Sequence, residues 1–321
     1  MSERILILGV GGFVGPYLAR ELSRRGMTVI GSDRTETGPE NLEYHRADLT
    51  DAVSVMELLH TVRPDAVVNL AAISSVSQSW RYPNETYAVN VGGAMNLLEA
   101  ARRMDPMPRL LLIGSGEMYA PSESPLSEDS PLDAVSPYGR TKLEQEHLAR
   151  SYAERYGLRI ACVRAFNHTG PGQDRRFAVP SWCRQAAAIE HSGRPGVIYA
   201  GNLNVRRDFS DVRDVVRAYR MILQSMTGGE IYNVGSGKAV LLSDLLAFIV
   251  SLSSQLIEVE INPSLVRPEE NPVQICDRSR ITKALGWEPE RLMEDTVREM
   301  FAGELAALSA AEPAPPTDPR A

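Results

Sequence analysis

The sequence is poor in the residues that build disulfide scaffolds, metal centres and nucleic-acid surfaces. Its 321 residues include three cysteines and five histidines, 6% of its residues are aromatic, and the net charge is -7. The odd, widely spaced cysteines exclude a disulfide framework, and the scattered histidines lack the spacing of metal ligands, so we predict no bound metal. Because the chain is acidic, we predict no nucleic-acid partner.

Long apolar runs are also missing from the sequence. No stretch approaches the run of about 18 apolar residues that spans a bilayer, and no charged-then-apolar leader precedes the first predicted strand. We therefore expect no membrane association and a cytoplasmic location, where thiols stay reduced. The 43% of residues that are hydrophobic suffice for the core of one large α/β domain.

A strand, a glycine-rich turn and a helix open the chain. Four apolar residues run into glycine at positions 9, 12 and 15, and the turn motif is Gly9, Gly12, Phe13, Val14 and Gly15. Glycine suits a turn with unusual dihedral angles, a backbone that touches a pyrophosphate, and a helix packed tightly on its strand. Since the free N–H groups of the helix start then face the anion, the stretch predicts a dinucleotide site.

An acidic residue follows the second apolar strand, over residues 28–31. Asp33 stands close to the position where a carboxylate binds the adenosine ribose hydroxyls. Such a carboxylate favours the free diol of NAD and repels a 2′-phosphate, whereas Arg34 beside it attracts that phosphate. We predict NAD(H) as the preferred cofactor, with NADP(H) also possible.

Apolar strands and amphipathic helices then alternate, which is typical of a parallel sheet covered on both faces. The predicted strands cover 65–70, 109–113 and 159–163, and the predicted helices cover 89–102 and 136–156. This pattern predicts an α/β fold, a Rossmann-type doubly wound parallel sheet over residues 1–165, to which later segments return.

The alternation loosens after residue 165. Short strands are predicted at 196–200, 231–234 and 257–261, and helices at 211–224 and 241–251. We expect residues 166–306 to form mainly a smaller C-terminal α/β substrate lobe, with the ligand in a cleft between the lobes. Residues 307–321, rich in Ala, Pro and Glu, are predicted to be a disordered tail.

A tyrosine and a lysine stand four residues apart in the second of the helices predicted before residue 165. The spacing puts Tyr138 and Lys142 on one helical face, and Ser115 follows the strand that ends at Ile113, where open α/β sheets bind ligands. A free tyrosine has a pKa of about 10, which a neighbouring cation lowers. We predict a proton-transfer site in which Lys142 favours the phenolate and Ser115 holds the substrate oxygen. The alternative is an ordinary exposed Tyr and Lys.

In order and spacing, these motifs resemble the extended short-chain dehydrogenase/reductase family over roughly residues 4–300. The resemblance rests on the glycine turn, Asp48, Leu49, the run from Asn69 to Ala72, Asn90, Ser115, Tyr138 and Lys142. It implies that Asp48 and Leu49 approach the adenine and that Lys142 also holds the nicotinamide ribose. It further implies cofactor contacts by Leu70, Ala71, Ala72 and Asn90. His168 is either a contact on the nicotinamide side or a buried structural histidine.

The second half resembles the GDP-mannose 4,6-dehydratases and the GDP-4-keto-6-deoxymannose reductases of that family, over segments 166–172, 201–209 and 267–270. An Arg fork gives bidentate bonds to a diphosphate, and a Glu accepts from a ribose or guanine donor. The resemblance implies that Arg207 and Arg267 bind the substrate diphosphate and that Glu270 contacts the nucleoside. It implies substrate contacts by Ser75, Glu117 and Asn167. For Arg206 and Arg207, a solvated pair on a loop is the alternative.

These features favour NAD(P)H-dependent reduction of the 4-keto group of a GDP-4-keto-6-deoxymannose to a GDP-6-deoxyhexose such as GDP-rhamnose, with Tyr138 as proton donor. The alternatives are a 4,6-dehydratase in which Glu117 acts as acid and base, a nucleotide-sugar 4-epimerase, and a dinucleotide-sensing regulator without catalysis. The helices over 90–102 and 136–156 commonly pair across a two-fold axis in this family, which predicts a homodimer.

Overall fold

The computed structural model describes residues 2–266 and 271–311. Its strands are β1 (Arg4–Leu8), β2 (Thr28–Asp33), β3 (Glu43–Arg46), β4 (Ala66–Asn69), β5 (Arg109–Ile113), β6 (Ile160–Ala165), β7 (Asn167–Thr169), β8 (Gly196–Ala200), β9 (Arg206–Asp211), β10 (Ile231–Val234), β11 (Ala239–Leu241), β12 (Ile257–Ile261) and β13 (Val273–Gln274). Its α-helices are α1 (Gly15–Arg24), α2 (Ala52–Val62), α3 (Val76–Arg81), α4 (Pro83–Tyr87), α5 (Gly93–Ala101), α6 (Pro137–Tyr156), α7 (Ala178–Ser192), α8 (Val212–Ser225), α9 (Leu242–Val250), α10 (Ser279–Leu285) and α11 (Met293–Ala311). A π-helical turn, Ala88–Gly92, joins α4 to α5, and 3-10 turns cover Gly116–Met118 and Pro263–Leu265.

Seven parallel strands form the main sheet, in the order β10-β6-β5-β4-β1-β2-β3. The strand order reverses between β1 and β4, so the chain segments that follow these two strands flank the topological switch point. Ligands of open α/β sheets bind at this point, outside the carboxyl ends of the strands. The predicted Rossmann-type fold is therefore confirmed.

Both faces of the sheet are buried, which explains the continuous apolar runs in its strands. Along β1, Ile5 and Ile7 pack into a core cluster with residues of α1 and α8. Leu6 and Leu8 point to the other face and pack with residues of α2, α5 and α6. Successive residues of β1 thus contribute to two apolar layers, one on each face of the sheet.

The chain divides into two compact units. The first contains the residues up to His168, Arg206–Ala239 and a segment that ends at Glu290. The second contains Thr169–Val205, a segment that begins at Val240, and the C-terminal segment from Arg291. Within the second unit β8 pairs with β12 in parallel, and α7 packs against α11.

The structure refines two expectations about the second half. The strand Ile231–Val234, predicted after residue 165, is one of the later segments that return to the main sheet, where it pairs with β6 as the seventh strand. The expected tail from residue 307 begins as helix, since α11 continues to Ala311. The rest of that expected tail lies outside the described residues.

A buried ion pair ties α6 to the sheet. Arg164 of β6 donates to both carboxylate oxygens of Glu146 at 2.9 and 2.6 Å, and their side chains are only 2% and 5% exposed. The guanidinium also donates to the Tyr119 hydroxyl at 3.0 Å, and that hydroxyl donates to the Asn233 amide oxygen at 2.6 Å. Every partner in this chain of contacts belongs to the first unit. Because α6 carries Tyr138, the network bears directly on the candidate site.

Replacing Glu146 with Ala leaves the Arg164 guanidinium buried without its counterion. We expect Glu146→Ala to lower the free energy of unfolding by about 3–5 kcal/mol in urea denaturation. The control is Glu36→Ala, because Glu36 pairs with Arg46 at 2.8 Å but both side chains are well exposed. That exposed pair should contribute less than about 1 kcal/mol. Equal losses in the two variants would contradict the role given to the buried pair.

Candidate active site

The glycine turn after β1 lies directly against the segment after β4. Gly9 has a φ of +77°, and a Cβ on it would lie 2.7 Å from the backbone nitrogen of Ala71. Only glycine combines this left-handed conformation with so close an approach. No side chain among the described residues caps α1 at Val14, so no side-chain cap competes with an anion for this helix start. This geometry fits the pyrophosphate of a dinucleotide, with Gly11, Gly12 and Gly15 in the same turn.

Asp33 ends β2 beside the glycine turn. One carboxylate oxygen accepts from the Gly11 N–H at 3.1 Å and the other from the Arg34 N–H at 2.7 Å. The backbone therefore holds the carboxylate at the edge of the predicted dinucleotide site. Such a group fits the ribose diol, as its position in the sequence predicted.

Asp48 lies in a turn of its own near two arginines. Its carboxylate accepts from the backbone and hydroxyl of Thr50, both at 2.8 Å. These two bonds lower the pKa of Asp48, and the charges of Arg34 and Arg46 lower it further against the opposing effect of burial. Two arginines thus lie near Asp48, which is expected to approach the adenine.

The other predicted cofactor residues lie in the packed layers around the switch point. Leu49 is buried in the second core cluster, and its carbonyl accepts from the Asn96 amide at 2.8 Å. Leu70 donates its N–H to the Leu8 carbonyl at 3.0 Å and packs on the first cluster. Ala71 follows it, packed on the second cluster, and Ala72 is half-buried. Their cofactor contacts stay predictions.

The side-chain amide of Asn90, an expected cofactor contact, is engaged within the protein. It accepts from the Ile73 N–H at 2.8 Å and donates to the Ile73 carbonyl at 3.1 Å. It also donates to the Thr141 hydroxyl at 2.9 Å, and that hydroxyl bonds the Tyr138 carbonyl at 2.7 Å. Asn90 therefore positions α6 and the loop after β4.

Ser115, Glu117, Tyr138 and Lys142 meet at the carboxyl end of β5. Ser115 caps the 3-10 turn by accepting from the Glu117 N–H at 3.1 Å, and its hydroxyl is hydrogen-bonded to the Tyr138 phenol. The start of α6 can lie this close because position 139 is glycine, where a Cβ would lie only 2.3 Å from the Glu117 carbonyl oxygen. Glycine at position 139 therefore lets the Tyr138 phenol lie next to the Ser115 hydroxyl.

The electrostatics of Tyr138 run opposite to the expectation that Lys142 lowers its pKa. Burial raises the pKa of Tyr138 to about 12, the Ser115 hydrogen bond lowers it, and the Glu117 charge raises it. Lys142 donates to the Ile113 carbonyl at 2.7 Å and to the Gln145 amide oxygen at 3.2 Å. Burial lowers the pKa of Lys142 to about 8. Around neutral pH the site therefore holds a protonated phenol and a lysine that gives up its proton easily.

Comparison with known proteins identifies the family of this chain. The profile of the family described as GDP-mannose 4,6 dehydratase matches residues 6–300. This chain belongs to that family. Family members are extended short-chain dehydrogenases/reductases that modify nucleotide sugars with NAD(P), so the resemblance drawn from the motifs is confirmed.

Three relatives illustrate the range of that family and of its fold. GDP-6-deoxy-D-mannose reductase of Pseudomonas aeruginosa is 30% identical over 305 residues, which cover 94% of this chain and 97% of the relative. The structure of RMD from Pseudomonas aeruginosa complexed with NADPH matches with 29% identity and a TM-score of 0.83, covering 95% of this chain and 100% of that one. The UDP-glucose 4-epimerase of Thermus thermophilus in complex with NAD matches with 29% identity and a TM-score of 0.84, covering 95% and 99%.

In this dehydratase-family chain, His168 connects the glycine turn to β7. Its ring stacks on Phe13 with centroids 6.3 Å apart and an interplanar angle of 10°, and its Nδ1 lies 3.1 Å from the Phe166 carbonyl. Burial lowers the pKa of His168, which favours the neutral ring. Ser75, an expected substrate contact, caps α3 by accepting from the Gln78 N–H at 3.2 Å.

Of the four expected substrate residues in the second half, two lie among the described residues. Arg207 lies on strand β9 and is only 6% exposed, which rules out a solvated loop pair; one of its nitrogens donates to the Arg206 carbonyl at 2.9 Å. Asn167 donates to the Asp208 carbonyl at 3.4 Å. The two other expected contacts, Arg267 and Glu270, lie outside the described residues.

The structure adds positioning residues that sequence reasoning missed. Gln145 binds the Lys142 ammonium, and the Ser79 hydroxyl accepts from the Tyr138 N–H at 3.1 Å. Polar residues at buried helical positions were the available signal. Within residues 2–266 and 271–311, no helix is long and apolar enough to cross a bilayer, and no three His, Cys, Asp or Glu side chains cluster as a metal site.

The depressed pKa of Lys142 predicts how stability varies with pH. The unfolded chain keeps this proton up to a pKa of 10.5, whereas the folded protein loses it near 8, so between these values the unfolded chain binds more protons. Wild type should therefore gain about 2 kcal/mol of unfolding free energy relative to Lys142→Met between about pH 7 and 9.5. Urea denaturation at both pH values measures this difference.

Lys283→Met, at an exposed position of α10, is the matched control and should show no such trend. A difference between wild type and Lys142→Met that stays constant from about pH 7 to 9.5 would contradict the effect assigned to burial.

Proposed function

We propose that this chain is an NAD(P)H-dependent reductase that converts the 4-keto group of GDP-4-keto-6-deoxymannose to an alcohol, giving a GDP-6-deoxyhexose such as GDP-rhamnose. The observation that carries the proposal is the buried Tyr138 phenol, hydrogen-bonded to Ser115 and kept protonated by a pKa of about 12. A protonated phenol suits the donation of a proton in reduction. The similarity to the Pseudomonas aeruginosa GDP-6-deoxy-D-mannose reductase supports the same direction.

The residues divide the work of ketone reduction between them. The reduced dinucleotide, when bound, supplies the hydride that adds to C4. Tyr138 donates its phenolic proton to the C4 oxygen, which completes the alcohol, and Ser115 hydrogen-bonds the same oxygen and holds it in place. Lys142, with its ammonium beside the Ile113 carbonyl, is proposed to bind the nicotinamide ribose. We propose that five further residues bind the nucleotide sugar: Arg207, Arg267, Glu270, Asn167 and Ser75.

A 4,6-dehydratase is the second candidate, and Glu117 is the observation that favours it. Its charge raises the pKa of Tyr138, so this carboxylate lies near the phenol, where it would take the C5 proton as a base and then, once protonated, release the C6 hydroxyl as an acid. Dehydration, however, begins by oxidising C4, which requires Tyr138 to act as a base. The raised pKa of Tyr138 opposes this base step, and the similarity to a GDP-6-deoxy-D-mannose reductase also favours reduction. A regulator without catalysis is disfavoured because Ser115, Tyr138 and Lys142 are all present and adjacent.

The purified protein should oxidise added NAD(P)H one-for-one with GDP-4-keto-6-deoxymannose and leave GDP-mannose unchanged. Tyr138→Phe should lower this turnover by about 10²–10⁴ while cofactor affinity is retained, because only the proton donor is lost. Tyr199→Phe, at an exposed position of β8, is the control and should react like wild type. Formation of the 4-keto product from GDP-mannose without added reductant would instead establish the dehydratase.

Cofactor choice depends on Asp33 and Arg34. We propose a preference for NAD(H), because the Asp33 carboxylate is held by two backbone N–H groups and repels a 2′-phosphate. Comparing kcat/KM for NADH and NADPH tests this. Asp33→Asn should reduce the preference, while Asp51→Asn, which alters a capping carboxylate of α2, should not. A strong NADPH preference in wild type would mean that the attraction of the 2′-phosphate to Arg34 and Arg46 outweighs its repulsion by Asp33.

We propose a homodimer formed through α5 and α6. Both helices carry large side chains that are exposed in the single chain, with Met95 of α5 and Tyr156 of α6 each 43% exposed. Trp80 of α3 and Tyr87 of α4 are also exposed, and both of these helices contact α6. Light scattering at working concentration should give twice the chain mass, and a monomer would contradict the proposal.

A further inference from the structure

One buried side-chain amide has an N–H group without a hydrogen-bond partner among the described residues. It lies beside the 3-10 turn Gly116–Met118, which Ser115 caps and which we call the catalytic turn. Gln274 of β13 is 2% exposed, and its oxygen accepts from the Asn167 amide at 3.3 Å. Its Nε2 has no hydrogen-bond partner within residues 2–266 and 271–311. An unpaired buried donor destabilises a protein and is uncommon, so such a group calls for an explanation.

The strand pairing places Gln274 beside a proposed substrate residue. β13 runs parallel to β9, with Gln274 directly opposite Arg207. Residues opposite each other in a parallel pair project from the same face of the sheet. Gln274 therefore shares a face with Arg207, which is proposed to bind the substrate diphosphate.

The free end of the same side chain reaches the catalytic turn. Its Nε2 lies 3.3 Å from the point where a Cβ on Gly116 would sit, and the Phe166 ring lies equally close to that point. Gly116 separates Ser115 from Glu117, so the unpaired N–H is next to the two residues that face the reacting part of the sugar. Glycine at this position leaves the space that the amide and the ring occupy.

We infer that Gln274 recognises the hexose of the substrate by donating its Nε2–H to a sugar oxygen close to C4. An amide N–H needs an oxygen acceptor, and a hexose presents hydroxyl oxygens on the carbons next to C4. The Asn167 amide fixes the orientation by occupying the Gln274 oxygen, which leaves the donor for the ligand. This inference rests on the proposed GDP-sugar function and assigns a specificity-determining residue to it.

Calorimetric titration with two probes, GDP and GDP-mannose, separates this contact from the rest of the site. Gln274→Leu should bind GDP as wild type does and GDP-mannose about tenfold more weakly, because only the hexose loses a hydrogen bond. Its melting temperature should not fall, since a buried unpaired donor has been removed. Gln274→Met, which is closer in shape, should behave in the same way if Leu disturbs packing. Gln224→Leu, at an exposed position of α8, is the control.

Each contrary result has a separate meaning. Unchanged GDP-mannose affinity together with a lower melting temperature would show that the amide only supports Asn167, and would overturn the inference. Equal weakening of GDP and GDP-mannose would overturn the assignment to the hexose. Failure of wild type to bind either probe would overturn the GDP-sugar function itself and this inference with it.

Discussion

The candidate site depends on one close backbone approach. Helix α6 begins against the Ser115–Glu117 turn, at a distance that only a glycine at position 139 allows. This approach brings the Tyr138 phenol to the Ser115 hydroxyl and buries both, and the burial raises the pKa of the phenol. The buried pair of Arg164 and Glu146 holds the same helix on the sheet farther along its length. Packing thus determines both the position and the protonation of the proposed donor.

Much of this arrangement could be predicted from local pattern. Local patterns of this kind include the apolar runs of the strands, the glycine turn and the spacing between Tyr138 and Lys142. Each depends on residues that are close together in the chain, so a single sequence reveals it. The strands ending near Leu8 and Ile113 therefore indicated where the site would form. Family resemblance added the nucleotide-sugar class, which the family match confirms.

The details that sequence patterns could not supply share a cause, since each depends on a contact between distant segments. Ile231–Val234 joins the main sheet only because β6 offers it an edge. Asn90 uses its amide to bind Ile73 and Thr141. The lowered pKa expected for Tyr138 assumed that Lys142 would be the main influence, whereas burial is, and burial raises the pKa. None of these competing partners can be identified from spacing alone.

The state of the Tyr138 phenol is the most direct test of this account. Tyrosine labelled with ¹³C at Cζ reports ionisation by NMR, and the Tyr138→Phe spectrum assigns the signal. With a pKa of about 12, Tyr138 should remain a phenol across the whole range in which the protein stays folded up to about pH 10. A phenolate signal that appears with a titration midpoint below about pH 8 would contradict the claim that burial keeps Tyr138 protonated.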